Sequence, residues 1–210
     1  LSKSPLSDDE LYLLGWYLAD GSLTPTGQLK ITIGTPDDIA AGKRLMRIIH
    51  KIVEDHPTQW HAGCGAKNGN GLRIAKHRVS LIEHPTAACA NVTTTNKWLA
   101  DWLWYWGGKA SHKRIAPELM EYSGLAPLVV GFFEGDGSQK NTRSALSAVQ
   151  KQHGILYDLQ RALWDSGVWA TMSSKVNRCG QMMLHIGAPW VNTLLDIFPG
   201  EKFRYVRDHA

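Results

Sequence analysis

Two aspartates far apart in the chain, Asp20 and Asp136, hold the same place in two similar stretches, LGWYLADGS at residues 14–22 and VGFFEGDGS at residues 130–138. The stretches align without a gap. Gly15 matches Gly131, Trp16 matches Phe132, Tyr17 matches Phe133 and Ala19 matches Gly135, while Asp20-Gly21-Ser22 matches Asp136-Gly137-Ser138. An apolar run closed by one acid and one glycine reads as a helix that ends in a carboxylate. At that end the helix dipole disfavours negative charge by roughly 0.3–1 kcal/mol, and two carboxylates brought together repel each other. A divalent cation reverses both penalties. Hard oxygen ligands on a partly open site suit Mg²⁺, with the helix-end carbonyls at Ala19 and Gly135 as further ligands. Such a pair can support hydrolysis of a phosphodiester. A single Asp-Gly is a common helix-ending turn; its repetition with the same glycine spacing is what singles these two out.

The two acids can act together only if the helices that carry them lie side by side. Gly15 and Ala19 fall one turn apart on one face, as do Gly131 and Gly135. Glycine inside a helix costs roughly 1 kcal/mol against alanine, so close backbone contact is the natural compensation. The rest of the chain reads as two copies of the order α-β-β-α-β-β-α. Ser7-Asp8-Asp9-Glu10 opens the first helix as a capping box, and Gly21 closes it, expected in a left-handed conformation. Residues 22–35 alternate as a hairpin around Pro25-Thr26-Gly27. A second helix follows to about Val53, strands are expected near Leu72–Ile74 and Arg78–Leu81, and a third helix covers Asn96–Trp106. The second copy repeats this with helices at 123–136, 154–167 and 190–198 and strand pairs at 139–152 and 169–187. The halves divide as 1–117, with an insertion near 54–95 and a linker at 107–117, and 118–210.

Composition agrees with an α+β globular chain. Of 210 residues, 43% are hydrophobic and 20% charged, and no apolar run reaches membrane-spanning length. The N-terminal stretch lacks the apolar core of a signal peptide. The net charge of +4 permits a nucleic-acid partner. The nine Trp are expected mostly as packing. Cys64, Cys89 and Cys179 form no CxxC pair, which points to reduced thiols in a cytosolic setting. His61, Cys64, His84 and Cys89 have an order and spacing that match no common zinc module.

The two stretches resemble the LAGLIDADG signature, and the chain looks like a single-chain, two-motif member of the LAGLIDADG homing endonucleases. That resemblance implies two pseudo-symmetric αββαββα halves with the motif helices at their interface and two antiparallel β saddles that lie in the DNA major groove. It implies a monomer that cuts both strands of a long asymmetric double-stranded site, with Mg²⁺ as cofactor, Mn²⁺ as substitute and Ca²⁺ supporting binding without cleavage. It makes Asp20 and Asp136 the catalytic metal ligands. A basic residue ahead of the second motif is matched by Lys113 in Lys113-Arg114-Ile115-Ala116-Pro117, with Arg114 as the other candidate, and Lys202 is its counterpart in the second half. Such a lysine stabilises developing charge or polarises water. A same-fold nucleic-acid-binding protein without cleavage, maturase-like or regulatory, is the alternative. Without the terminal residues of a self-splicing element, a free-standing or intron-encoded enzyme of a mobile element is expected, cytoplasmic and nucleoid-associated, or organellar.

On the same resemblance the polar hairpin faces meet DNA. The first half offers Ser22, Thr24, Thr26, Gln28, Lys30 and Thr32, then Lys67, Arg73, Lys76 and Arg78. The second offers Ser138, Gln139, Lys140, Asn141, Arg143, Ser147, Gln150 and Lys151, then Ser173, Lys175, Asn177, Arg178 and Gln181. These residue types suit both phosphate and base-edge contacts.

Overall fold

The computed structural model describes residues 2–34, 38–55, 79–83, 88–139, 145–173 and 176–202. After β1 (Ser2–Lys3), the first half runs α1 (Asp8–Asp20), β2 (Gly21–Leu23), β3 (Gln28–Gly34), α2 (Ile39–Asp55), β4 (Ser80–Glu83), β5 (Cys89–Thr95) and α3 (Lys97–Gly107). Two short 3₁₀ turns and β6 (Tyr122–Ser123) lead into the second half. There α4 (Ala126–Asp136), β7 (Gly137–Gln139), β8 (Leu146–Gln150), α5 (His153–Asp165), β9 (Ala170–Met172), β10 (Met182–Ile186) and α6 (Ala188–Ile197) repeat the order.

Each half builds one four-stranded antiparallel sheet, in the orders β2-β3-β5-β4 and β7-β8-β10-β9, which are the same order once the halves are matched. The first hairpin turns at Gly27, whose φ of 85° is open to glycine at little cost. In β3, Leu29, Ile31 and Ile33 are buried while Gln28 and Lys30 are exposed, the period-two pattern of a strand with one face on a core. The strand expected at 72–74 lies outside the described residues, and the one expected at 78–81 forms as β4, beginning at Ser80.

The capping box forms: the Ser7 hydroxyl accepts from the Glu10 N–H at 3.3 Å, and the Glu10 carboxylate accepts from the Ser7 N–H at 2.7 Å. The expected apolar stripe of α1 is in fact a full circumference, since every residue from Leu11 to Leu18 is buried. In α4, Ala126 to Glu134 are likewise all buried. A helix apolar all round belongs in the interior. α1 and α4 lie against each other at the centre of one core that runs through both halves.

Gly21 departs from expectation. Its φ of −78° and ψ of 145° are extended, and so are those of Gly137 at −77° and 144°. Each helix passes straight into a strand with no left-handed residue between. Glycine is needed for space: a Cβ on Gly21 would lie 2.6 Å from the Tyr17 Cα, and one on Gly137 would lie 2.1 Å from the Phe133 carbonyl oxygen. Two further features were not anticipated. β1 pairs in parallel with β6, tying the start of the chain to the segment between the halves. Among the described Trp, Trp164, Trp169 and Trp190 are substantially exposed, the first two stacked on each other with ring centroids 5.4 Å apart. Stacking hides one face of each indole, and Trp164 Nε1 donates to the Ala170 carbonyl at 3.2 Å, so this pair is served without a core position.

Candidate functional site

The site begins with the contact between α1 and α4. A methyl group on Gly15 would lie 2.1 Å from the Leu128 carbonyl oxygen, and one on Gly131 would lie 2.3 Å from the Tyr12 carbonyl oxygen. The contacts are reciprocal, as a two-fold axis between the helices requires. One turn on, a Cβ on Gly135 would lie 2.5 Å from the Ala19 Cβ and 3.5 Å from an Asp20 carboxylate oxygen. The two helix ends therefore meet, and Asp20 and Asp136 share one place.

Their electrostatics record it. Asp136 is pushed up to about 6, first by burial and then by the charge of Asp20, against a hydrogen bond from Gln150 and the positive charges of Lys113 and Lys202. Asp20 is also raised, chiefly by loss of hydration, with Lys113 and Lys202 opposing and Asp38 adding to the rise. Asp20 keeps an exposed surface, yet protein on its other sides withdraws enough water to favour the neutral acid.

Both lysines singled out in the sequence reach these helix ends. Lys113 Nζ donates to the carbonyls of Tyr17 at 2.7 Å, Leu18 at 3.3 Å and Gly21 at 2.6 Å. It is a cation on the negative end of α1, and burial holds it down to about 8 although Asp20 and Asp136 pull it up. Lys202 Nζ donates to the Glu134 carbonyl at 3.1 Å, the matching position on α4. Arg114, the alternative to Lys113, turns away from this place. Its guanidinium donates twice to Asp158 of α5, at 2.5 and 2.6 Å, and the Ile115 N–H adds a bond to the same carboxylate at 3.3 Å. Arg114→Ala would leave the buried Asp158 with only that backbone donor. We expect it to cost about 2 kcal/mol, read as a lower urea midpoint, because one charge of a pair is stranded; an unchanged midpoint would show that water replaces the guanidinium.

Two further acids belong to this region. Glu134, fully buried on α4, accepts from the Tyr12 hydroxyl of α1 and from the Lys202 N–H at 2.8 Å. Burial raises its pKa against those hydrogen bonds. Asp38, 8% exposed at the start of α2, has Oδ2 3.5 Å from Lys202 Nζ. Neither is marked by a local pattern, because each is buried by a partner from the other half.

The sheets present rows of polar groups set by register. In the first, Ser22 lies opposite Lys30, Lys30 opposite Thr93, and Thr93 opposite Ser80. Thr32 pairs with Asn91, donating to its Oδ1 at 3.1 Å, and Gln28 lies opposite Thr95. Thr24 and Thr26 hydrogen-bond each other in the turn at 2.8 Å. In the second sheet Ser138 lies opposite Ser147, Ser147 opposite His185, and His185 opposite Thr171. Ser173 accepts from the Met183 N–H at 3.1 Å, Asn177 and Gln181 bond each other at 2.8 Å, and Arg178 and Lys151 are exposed. Gln150 instead follows the inward parity of Leu146 and Ala148, and its amide donates to Asp136. Lys67, Arg73, Lys76, Arg78, Lys140, Asn141, Arg143 and Lys175 lie outside the described residues, as do the side chain of Gln139 and three of the four zinc candidates, His61, Cys64 and His84. Thr93, Asn91, Ser80, His185 and Thr171 were missed; the alternation of CANVTTT in β5 was the available signal.

Among the described residues no group of three or more His, Cys, Asp or Glu side chains gathers as a metal cage. Two carboxylates and helix-end carbonyls do fit a hard cation that keeps several waters, as Mg²⁺ does. Lys113 takes the carbonyls of Tyr17, Leu18 and Gly21 but not that of Ala19, and Lys202 takes that of Glu134 but not that of Gly135. A pH test follows from Asp136. Its folded pKa of about 6 lies above the ordinary 3.8. The folded chain therefore binds that proton more tightly, a contribution to stability that is complete below the unfolded value and lost as pH rises through about 6. Calorimetric melts of metal-free protein should show this group's contribution falling between about pH 4 and pH 6.5. Mg²⁺ or Ca²⁺ should raise the melting temperature near pH 7.5 and have little effect near pH 5, where protons compete; a metal effect equal at both would exclude these carboxylates as ligands.

No protein-family model matches the sequence, and no curated protein does either. Solved structures do match. I-DmoI, in complex with DNA and Mn, superposes with a TM-score of 0.64 at 13% identity, covering 92% of this chain and 97% of that chain. Full-length DUF199/WhiA from Thermatoga maritima superposes with a TM-score of 0.59 at 14% identity, covering 96% of this chain and 60% of that chain. The N-terminal LAGLIDADG domain of DUF199/WhiA gives 0.55 at 14%, over 93% of this chain and 85% of that chain. I-DmoI is described as a homing endonuclease. The chain has the LAGLIDADG homing endonuclease fold.

Proposed function

We propose that the chain is a site-specific double-strand DNA endonuclease that hydrolyses phosphodiesters with a divalent metal, acting as a monomer whose two halves replace two subunits. One observation carries the reading: two carboxylates, each on a buried helix, are held together at unfavourable helix ends with raised pKa values and lysines beside them. Stability alone gives no reason to keep such a pair, whereas a cation and a phosphate do. Asp20, Asp136 and the carbonyls of Ala19 and Gly135 would hold Mg²⁺ or Mn²⁺. Held there, such an ion would supply Lewis-acid polarisation of a phosphate and acidification of a water.

The chain's own residues do the rest. Lys113 and Lys202 bring positive charge to where charge develops on the phosphate oxygens. Gln150 holds one oxygen of Asp136 and so fixes that carboxylate's rotation. Ser22, Lys30, Thr93 and Ser80 on one sheet, and Ser138, Ser147, His185 and Thr171 on the other, form rows of donors and acceptors suited to phosphate and base edges. A β-ribbon fits the major groove, and the DNA and Mn bound to I-DmoI support the same partners here.

The test is to incubate the protein with a random duplex library in Mg²⁺ and sequence the cut ends. Recurrent cutting at one long site is expected. Retention of particular duplexes with neither nick nor cut would replace this reading with the non-cutting DNA-binding one.

A further inference from the structure

The two helix ends are not equivalent. Lys202 Nζ has a carboxylate partner, Asp38 Oδ2 at 3.5 Å, beside its bond to the Glu134 carbonyl. Among the described residues Lys113 bonds only to carbonyls, those of Tyr17, Leu18 and Gly21, and has no carboxylate at ion-pair distance. Asp38 itself is 8% exposed, and its Oδ1 has no hydrogen-bond partner. A buried carboxylate with one oxygen unsatisfied is a poor choice for stability.

We propose that Asp38 is a positioning residue for Lys202, holding its ammonium beside the end of α4 and partly offsetting its charge, so that the two strands are cut at unequal rates. The inference rests on the nuclease reading above. An ammonium facing a buried carboxylate gives less of its field to a phosphate than one facing neutral carbonyls. The strand that depends on Lys202 is therefore the slow one, and cutting passes through a duplex nicked in the strand that depends on Lys113. Asp38 touches neither phosphate nor reacting atoms in this account; it acts through Lys202.

The experiment uses the full chain, Mg²⁺ and a duplex selected from the library, labelled on one strand at a time under single-turnover conditions. Lys113→Met and Lys202→Met identify which strand depends on which lysine. Native protein should cut the Lys202 strand more slowly, and Asp38→Asn should bring the two rates together by about 3- to 10-fold. In the Lys202→Met background Asp38→Asn should leave the ratio of the two rates unchanged, because its charge otherwise acts on Asp20, which belongs to the shared carboxylate pair. Asp38→Glu, which keeps the charge, should preserve the inequality, so that poor folding of the Asn variant does not leave the matter open. Equal native rates, or an Asp38→Asn change shared by both strands, would overturn the role of Asp38 while leaving the nuclease reading intact. If native protein cuts no duplex at all, it is the nuclease reading that falls.

Discussion

Asp20→Asn and Asp136→Asn should each lower double-strand cutting by on the order of 10³-fold or more, with DNA affinity in Ca²⁺ nearly unchanged. A metal supplies several kcal/mol of charge stabilisation in the transition state, and each 1.4 kcal/mol is about tenfold in rate. Asparagine keeps the shape and removes the charge that would hold the ion. The sheet rows proposed to meet DNA lie on other elements, so binding has no reason to fall. Stability should move the other way. Burial and mutual repulsion disfavour both charges, and Asp136 is held up to about 6. Metal-free Asp136→Asn should therefore melt at or above the native temperature near neutral pH. Loss of cutting together with lower stability would instead mean that the residue serves the fold. Cutting that survives either substitution would remove the carboxylate pair from the mechanism.

Gly131→Ala should destabilise by about 3 kcal/mol, and Gly15→Ala similarly. At an ordinary interior helix position the same change gains roughly 1 kcal/mol. Here the sign inverts, because the new methyl group would lie 2.3 Å from the Tyr12 carbonyl oxygen, or 2.1 Å from that of Leu128. Both obstacles are backbone, and neither can swing aside as a side chain would. Relief requires the two helices to separate, and they carry the centre of the core. Denaturant unfolding measures the cost directly. Should either alanine variant prove as stable as the native chain, the helices are not in contact at these glycines. A folded Gly131→Ala variant would also report on the site, because separating the helices separates Asp20 from Asp136; its cutting should fall even where its fold survives.

The parts legible in the sequence were those written in local patterns. Leu29, Ile31 and Ile33 alternate within one strand, Ser7 and Glu10 lie three residues apart, and the two Asp-Gly endings can be matched by eye. Helix order, the first hairpin and the meeting of α1 with α4 follow from such signals. What was not legible depends on partners distant in sequence. Thr93 and Ser80 joined the row of Ser22 and Lys30 only through cross-strand register. Asp38 read as part of an ordinary helix start, and its burial beside Lys202 comes from the far end of the chain. Glu134 read as one more letter of the motif, and Arg114 could not be told from Lys113 until Asp158 was seen to claim it. Gly21 was given the wrong reason, since a helix-ending glycine more often serves a left-handed turn than a crowded one.

The bond between Tyr12 and Glu134 has a consequence for ancestry and assembly. Matching the halves pairs Tyr12 with Leu128 and Leu18 with Glu134. Were two second halves to associate through the same helix face, each Glu134 would meet a leucine and lie buried with no hydroxyl to answer it. Were two first halves to do so, each Tyr12 hydroxyl would be stranded against a leucine. Both mispairings bury an unsatisfied polar group, whereas the native pairing satisfies both at once. The contact works as a password exchanged between unlike partners. Having acquired it, the two halves can diverge freely on their outer faces while remaining obliged to each other, and separately expressed halves should assemble as a heterodimer in preference to either homodimer.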